Sequence, residues 1–172
     1  MEPLAAPDTH HLRAAQGWLE LGNPREAEVE LAKLSPAGQA HPDALEARWQ
    51  VKAQRKQWEA CCDLGRALTR TAPEQPRSWI HLSYALHELR RTAEARDNLL
   101  RVAERFPHHV LLRYNLACYE CQLDRPAEAL RWLRAALALA EEPGELKQMA
   151  LADVDLQPLW GDIAALEAGA GG

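Results

Sequence analysis

The chain has 172 residues, a formal net charge of -5 at pH 7 and a pI near 5.8. This length suits one cooperative domain and excludes two domains of ordinary size. The acidic balance and the lack of a basic run argue against nucleic acid or an anionic membrane surface as the main partner. We therefore expect the partner to be a protein.

Composition also indicates the fold class and the compartment. Leucine and alanine greatly outnumber the β-branched residues, which favours packed helices over sheet. Residues 1–8 have neither the positive start nor the apolar stretch of a signal peptide, and the longest uncharged apolar run, residues 135–140, is too short to span a bilayer. We expect an all-α protein of the cytoplasm, with no membrane insertion.

The first two helices are predicted from their end signals. Asp8 is expected to cap the first helix, and Gly22 to supply the left-handed residue that ends it. Asn23 is expected to cap the second helix, which continues toward Ser35. The link over residues 36–41 is the least regular join in the chain.

Six further helices are predicted from apolar residues that recur at helical spacing. They are expected, in chain order, from Pro42 through Trp49, from Gln57 to just before Pro73, and over residues 76–89, 92–106, 109–123 and 126–140. A last segment, 145–168, keeps helical apolar spacing without repeating the earlier units. We expect it to cap the array, and we expect residues 169–172 to be a disordered tail.

Small residues recur through these helices at a fixed step of thirty-four positions. They are Ala27, Cys61, Ala95 and Ala129. Other columns with the same step hold Leu31, Leu99 and Leu133, and Leu34, Leu68, Val102 and Ala136. A small residue at a fixed step is what a repeated tight helix crossing requires, because only a small side chain lets two backbones approach closely.

The third repeat carries a run that closely resembles the tetratricopeptide repeat signature: Trp79-x2-Leu82-Ser83-x2-Leu86, then Ala95-x3-Leu99 and Pro107. The resemblance implies an all-α, right-handed α-solenoid of about four helix pairs with a C-terminal capping helix. The repeats fall at 8–41, 42–75, 76–109 and 110–143 within a single domain, 1–168. Repeat two departs most from the signature, since Arg48 and Trp49 stand where a large apolar and a small residue are expected.

In tetratricopeptide arrays the first helix of each pair lines an inner, concave surface, so the resemblance implies a binding groove there. The predicted partner-binding residues are Arg77, His81, Tyr84, His87, Tyr114, Asn115, Cys118 and Gln122. The tyrosines can anchor a peptide at little entropic cost, and the polar members can satisfy its hydrogen bonds. We expect an adaptor or scaffold that holds an extended or helical segment of another protein.

Two other functions stay open. Chaperone-binding members of the family clamp a terminal carboxylate with Lys, Arg and Asn. Here Asn115 occupies one compatible place, but the matching places carry Glu46, Gln50, Ile80 and Tyr84, without lysines. Binding to the acidic terminus of heat-shock chaperones is therefore disfavoured, while a dedicated chaperone for a secretion substrate remains an alternative.

The second alternative is a metal or redox protein built on Cys118-x2-Cys121. Two thiolates at this spacing can share one zinc ion, but the sequence offers no second pair of ligands, and buried cysteines are common at helix interfaces. The adjacent histidine pairs point apart on a helix. Phosphate loops, nucleophile elbows and metalloprotease motifs are absent from the sequence. We expect no enzyme activity, no metal and no cofactor.

Overall fold

The structure, a computed structural model, describes residues 4–166, which form helices and turns with no strand among them. The α-helices are α1 Ala6–Glu20, α2 Pro24–Ala32, α3 Pro36–Ala40, α4 Pro42–Gln54, α5 Trp58–Thr71, α6 Pro76–Glu88, α7 Thr92–Leu100, α8 Val110–Gln122, α9 Pro126–Leu137, α10 Pro143–Ala152 and α11 Trp160–Ala165. A 3-10 helix, Val154–Leu159, lies between the last two. The all-α prediction is confirmed.

The chain forms two compact units, residues 1–85 and 86–172, and the division falls inside α6. In unit 1, α1 packs against α2, α4 packs against α5, and both α1 and α2 contact α4. This core cluster is apolar and comes from α1, α2 and α4, with Leu34 from the turn after α2: Leu12, Ala15, Leu19, Ala27, Leu31, Leu34, Ala44, Ala47 and Val51.

In unit 2, α8 is the central helix. It packs against α7, α9 and the 3-10 helix, and α10 and α11 pack together beside the 3-10 helix. Leu156 and Ile163 in the C-terminal part are fully buried. A C-terminal segment that caps the last helix pair was predicted, and the structure divides that segment at Asp153, whose extended backbone ends α10. The tail prediction for residues 169–172 lies outside the described residues.

The thirty-four-residue step is confirmed as a packing register. Its four small residues are all fully buried: Ala27, Cys61, Ala95 and Ala129. The same step recurs in the backbone, because the turn between the two helices of each pair has a residue of positive φ: Gly22 at 69°, Lys56 at 54°, Arg90 at 63° and Asp124 at 58°. The sequence shows only the first of these, since glycine marks a left-handed residue and the other three do not.

The second repeat keeps the register despite its departures. Arg48 takes the place of a large apolar residue, and its guanidinium is 3.4 Å from the carbonyl oxygens of Leu31 and Gln39. Gly65 occupies the column that holds leucine in the other repeats, and a Cβ there would lie 2.8 Å from the Cα of Leu82. The absent side chain thus lets α5 approach α6 unusually closely.

One capping prediction is wrong. Asp8 lies inside the first turn of α1, and Ala5 precedes the helix. The Asp8 carboxylate instead accepts hydrogen bonds from the backbone N–H of Ser35, at 2.8 Å, and from its hydroxyl, at 2.5 Å. These bonds lower the pKa of Asp8, and they stabilise Ser35, which caps the short helix α3.

Three other boundaries differ from the prediction. The link over 36–41 contains α3, α9 ends at Leu137 instead of residue 140, and α7 ends at Leu100 instead of continuing to residue 106. Beyond it the chain tightens into turns in which Val102 N–H donates to Leu99 and Arg105 N–H to Val102. The capping of α2 by Asn23 is confirmed, since its side chain accepts from Glu26 N–H. None of the helices between residues 4 and 166 combines the length and apolar character that crossing a bilayer demands.

Candidate functional site

Unit 1 contains a polar groove of about 740 Å³, which we call the unit 1 groove. Its walls come mainly from α1 and α4, the first helices of the first two pairs. Side chains one turn apart on each helix reach it: Gln16 and Glu20 from α1, and Asp43, Glu46, Gln50 and Gln54 from α4. Leu19 and Ala47, which belong to the core, also reach the groove, so its lining is polar with an apolar base.

Three carboxylates and one guanidinium line the groove among the described residues: Glu20, Asp43, Glu46 and Arg77. Glu46 is the most enclosed of these carboxylates. Arg77 Nη1 lies 3.2 Å from Glu46 Oε2, and His81 Nε2 lies 3.5 Å from Oε1. Burial alone would raise the pKa of Glu46, but the hydrogen bond with His81 and the charge of Arg77 outweigh it and hold that pKa below its ordinary value.

An aromatic cluster supports one wall of the groove. Trp49 stacks on His81 with ring centroids 4.1 Å apart, and its edge meets Tyr84 at 6.2 Å. Trp58 meets the same tyrosine at 5.7 Å. These offset and edge-on contacts are the preferred aromatic geometries and fix His81 beside Glu46.

Trp49 also contributes an unsatisfied polar atom. It lines the groove and is only 8% exposed, and its indole N–H has no hydrogen-bond acceptor among residues 4–166. An unmade hydrogen bond of this kind costs about 1–3 kcal/mol. Most buried polar groups in proteins have a hydrogen-bond partner, so the unpaired Trp49 N–H makes this wall of the groove an exception that lowers the stability of the fold.

In unit 2 the corresponding face of α8 is covered by the chain itself. Tyr114 donates its hydroxyl proton to Asp153 Oδ2 at 2.8 Å, and Gln122 Nε2 donates to the Asp155 carbonyl oxygen at 2.8 Å. His87 Nε2 lies 3.0 Å from Asp155 Oδ2. The residues that follow α10 therefore form an acidic segment, 153–159, bound across α8; we call it the covering segment.

Burial by the covering segment changes the ionisable groups beneath it. Tyr114 and Cys118 are 4% and 5% exposed. Burial, with nearby Asp153, raises the pKa of both Tyr114 and Cys118. The hydrogen bond from His87 lowers the pKa of Asp155. Tyr114 and Cys118 are thus held protonated beneath the segment, and the Asp155 carboxylate is held ionised beside His87.

The four cysteines are free and buried, and the environments of Cys61, Cys118 and Cys121 disfavour the thiolate. Burial raises the pKa of Cys61 to about 12, and it also raises the pKa of Cys121. A thiolate is the form that binds metal or attacks a disulfide, so these sites oppose both chemistries. Among residues 4–166, no group of three or more His, Cys, Asp or Glu side chains is placed to hold a metal ion.

The predicted partner-binding residues fall into two groups. In unit 1, Arg77 and His81 meet at Glu46, and Tyr84 joins the aromatic cluster with 40% of its surface exposed. In unit 2, four contact the covering segment or lie beneath it: His87, Tyr114, Cys118 and Gln122. Asn115 is half-buried on α8. Their role in binding a partner stays a prediction.

Sequence reasoning missed Glu46 as the residue that unites Arg77 with His81, and it missed the covering segment. A signal for Glu46 was present, because it lies one repeat step before Ile80 and two before Tyr114, a predicted binding position. For Asp153 and Asp155 there was no comparable signal, since their segment does not repeat any earlier unit.

Comparisons with solved structures agree with this architecture. Pseudomonas aeruginosa pilF matches with a TM-score of 0.73 and 20% identity, over 94% of this chain and 78% of that one. MamA AMB-1 matches with a TM-score of 0.65 and 16% identity, over 95% of this chain and 100% of that one. No family model and no curated protein matches the sequence. At these identities the likeness shows the fold alone: an all-α solenoid of tetratricopeptide-type helix pairs.

Proposed function

We propose that this protein is a non-enzymatic interaction module, an adaptor or scaffold that binds a segment of a partner protein in the unit 1 groove. The observation that carries the proposal is the groove itself. It has a volume of about 740 Å³ and is lined by hydrogen-bonding side chains of successive first helices. A cleft of this size, with charged and amide side chains beside an aromatic wall, suits several side chains of an incoming segment.

The predicted residues of unit 1 keep their role in this proposal. Arg77 and His81 set the charge at one end of the groove through Glu46, and Tyr84 presents an exposed ring beside it. An aromatic anchor next to a polar strip is a common composition for a binding hot spot. In unit 2, Asn115 and Tyr114 belong to a partner site only if the partner also contacts the covering segment.

We assign no reaction to the groove. Its most enclosed carboxylate, Glu46, is paired with a guanidinium and held ionised, so it is poorly matched to general acid catalysis near neutral pH. All four cysteines are buried, and Cys61, Cys118 and Cys121 are held as thiols. Free buried thiols fit a reducing compartment, and we keep the cytoplasm as the proposed location.

A site-specific photocrosslinker tests the proposal. Gln50, which lines the groove, is replaced by p-benzoylphenylalanine in the full chain, and partners are crosslinked in lysate of the source cell. Glu59, an exposed residue on α5 outside the groove, receives the same replacement as a matched control. We expect a discrete crosslinked protein from Gln50 and none from Glu59.

The crosslinked partner is then identified, expressed and assayed against unmodified protein and the Gln50→Arg variant. We expect the variant to bind at least tenfold more weakly at an unchanged melting temperature, because a long charged side chain fills the groove. Crosslinking from Glu59 alone, or equal affinity for Gln50→Arg, would overturn the proposed site.

A further inference from the structure

The covering segment shows what the first-helix face of one repeat binds. On the α8 side the polar contacts are donors: the Tyr114 hydroxyl, the Gln122 amide and His87. On the segment side they are acceptors: the Asp153 carboxylate, and the carboxylate and backbone carbonyl of Asp155. The bound chain is a six-residue 3-10 helix that follows an extended residue, so a short segment is sufficient.

The positions that hold the covering segment in repeat four also line the unit 1 groove in repeats one and two. Subtracting the repeat step twice from Tyr114 gives Glu46, and the same subtraction from Gln122 gives Gln54. The equivalent of Gln54 in repeat one is Glu20. All three line the groove. The unit 1 groove is therefore the same kind of surface, without a covering segment from the described part of its own unit.

Two of these positions carry a carboxylate in unit 1, while Gln54 in repeat two keeps the amide of Gln122. Tyr114, a donor in repeat four, is replaced by the carboxylate of Glu46 in repeat two, and Gln122 is replaced by Glu20 in repeat one. Asp43 adds a third carboxylate to the groove. The guanidinium of Arg77 is already engaged by Glu46 at 3.2 Å. Where repeat four presents donors to acidic residues, the unit 1 groove adds three carboxylates to a lining of amide side chains and has a single guanidinium among the described residues.

We propose that the unit 1 groove binds a short helical segment bearing arginine or lysine side chains. This assignment rests on the function proposed above and names the chemistry of its partner. A second copy of this chain does not supply such a segment from its C-terminal part, because residues 153–166 contain three aspartates and no lysine or arginine. Like charges would face one another across that contact.

The test uses the full chain labelled with nitrogen-15 at its tryptophan indoles. Two alanine- and leucine-based helical peptides of equal length are titrated in, one with four arginines and one with glutamates at the same places. The Trp49 indole N–H, assigned with Trp49→Phe, reports on the groove, and Trp132 on α9 of unit 2 is the internal control. We expect a saturable shift at Trp49 with the arginine peptide, little change at Trp132, and binding of the glutamate peptide at least tenfold weaker.

Matched variants tie the effect to the carboxylates. Glu20→Gln/Asp43→Asn/Glu46→Gln should weaken the arginine peptide about tenfold, since each exposed ion pair contributes little by itself. The control, Glu59→Gln/Asp63→Asn/Glu74→Gln, makes the same charge change in unit 1 outside the groove and should alter affinity less than twofold. Glu20→Gln, at an exposed site, gives a weaker loss that does not depend on how well the triple variant folds.

The outcomes separate this inference from the proposed function. Equal or stronger binding of the glutamate peptide at Trp49 overturns the cationic class and leaves the groove as a binding site. Equal losses in the two triple variants, or no shift at Trp49 with either peptide, overturn the inference as well. Crosslinking from Gln50 remains the separate measurement of whether the groove binds a partner at all.

Discussion

The first-helix faces of α4 in unit 1 and α8 in unit 2 share their repeat positions and differ in what covers them. On α8, Tyr114 and Cys118 lie beneath the covering segment. On α4, Glu46 and Gln50, at equivalent positions, line a groove of about 740 Å³. One backbone register thus supports a closed face or an open one, and the identity of a few side chains determines which ligand chemistry suits each.

The largest expected effect concerns the closed face. Leu156 in the covering segment is fully buried, so Leu156→Ala should lower the free energy of unfolding by about 2–5 kcal/mol. Val154→Ala, two residues earlier at a position 71% exposed, should change it by less than about 0.5 kcal/mol. Urea denaturation of both variants measures this. Similar, small losses in the two would mean that the segment rests on α8 without stabilising it.

The framework of the open face can be tested at its tightest helix contact. A Cβ at Gly65 would lie 2.8 Å from the Cα of Leu82, and backbone must move to admit it. Gly65→Ala should therefore destabilise the protein by about 1–3 kcal/mol.

The control is Gly17→Ala in α1 of the same unit, where an added Cβ meets nothing within 4 Å. There the substitution should stabilise by about 0.4–1 kcal/mol, because alanine restricts the unfolded chain. In thermal melts, the melting temperatures of Gly65→Ala and Gly17→Ala should shift in opposite directions. A shift in the same direction would contradict the close approach of α5 to α6 at Gly65.

Most of the repeat framework was predictable from the sequence, because small residues at a fixed step report directly on helix crossings. Ala95 and Ala129 lie in the predicted column and are fully buried. The sequence showed that Arg48 departs from the repeat signature, but it did not show how the register is kept. Arg48 keeps it by reaching two backbone carbonyl oxygens, and no local sequence pattern indicates those contacts.

The difference between the two faces could not be predicted. Whether Tyr114 is open depends on a segment that folds back from nearly forty residues away, and that contact has no periodicity. Asp8 shows the same limit on a smaller scale. Its residue type suggests a local cap, yet its partner is Ser35, brought close only by the packed pair of helices α1 and α2.

Acidification should weaken the closed face. His87 holds the pKa of Asp155 below its ordinary value, so the carboxylate stabilises the fold above the unfolded pKa near 3.8 and that contribution is lost as pH falls through the lower folded value. The unfolding temperature should therefore fall as the pH drops below about 4. Asp155→Asn should already be less stable than the native protein at pH 7. Its unfolding temperature should then fall less than that of the native protein as the solution is acidified.

Melting curves at half-unit pH steps test this, with Asp162→Asn as the control in the same unit, at an exposed carboxylate. A parallel fall in all three proteins would assign the acid sensitivity to other carboxylates. Asp8 and Glu46 in unit 1 also have lowered pKa values, so some fall should persist in Asp155→Asn.

The smallest expected effect compares the interhelix turns of the two units. Lys56 in unit 1 and Asp124 in unit 2 both have positive φ, at 54° and 58°, where a side chain with a Cβ is strained. Lys56→Gly should raise stability by roughly 0.5–1 kcal/mol, because the relief of strain exceeds the entropy that glycine adds to the unfolded chain. Asp124→Gly should gain less stability, since aspartate tolerates the left-handed region better than lysine does.

Gly22→Ala, at the equivalent turn of repeat one, should lose about as much stability as Lys56→Gly gains. The urea concentrations at which the three variants are half unfolded measure these changes in stability. A loss of stability in Lys56→Gly would mean that the backbone at Lys56 does not share the left-handed conformation of Gly22.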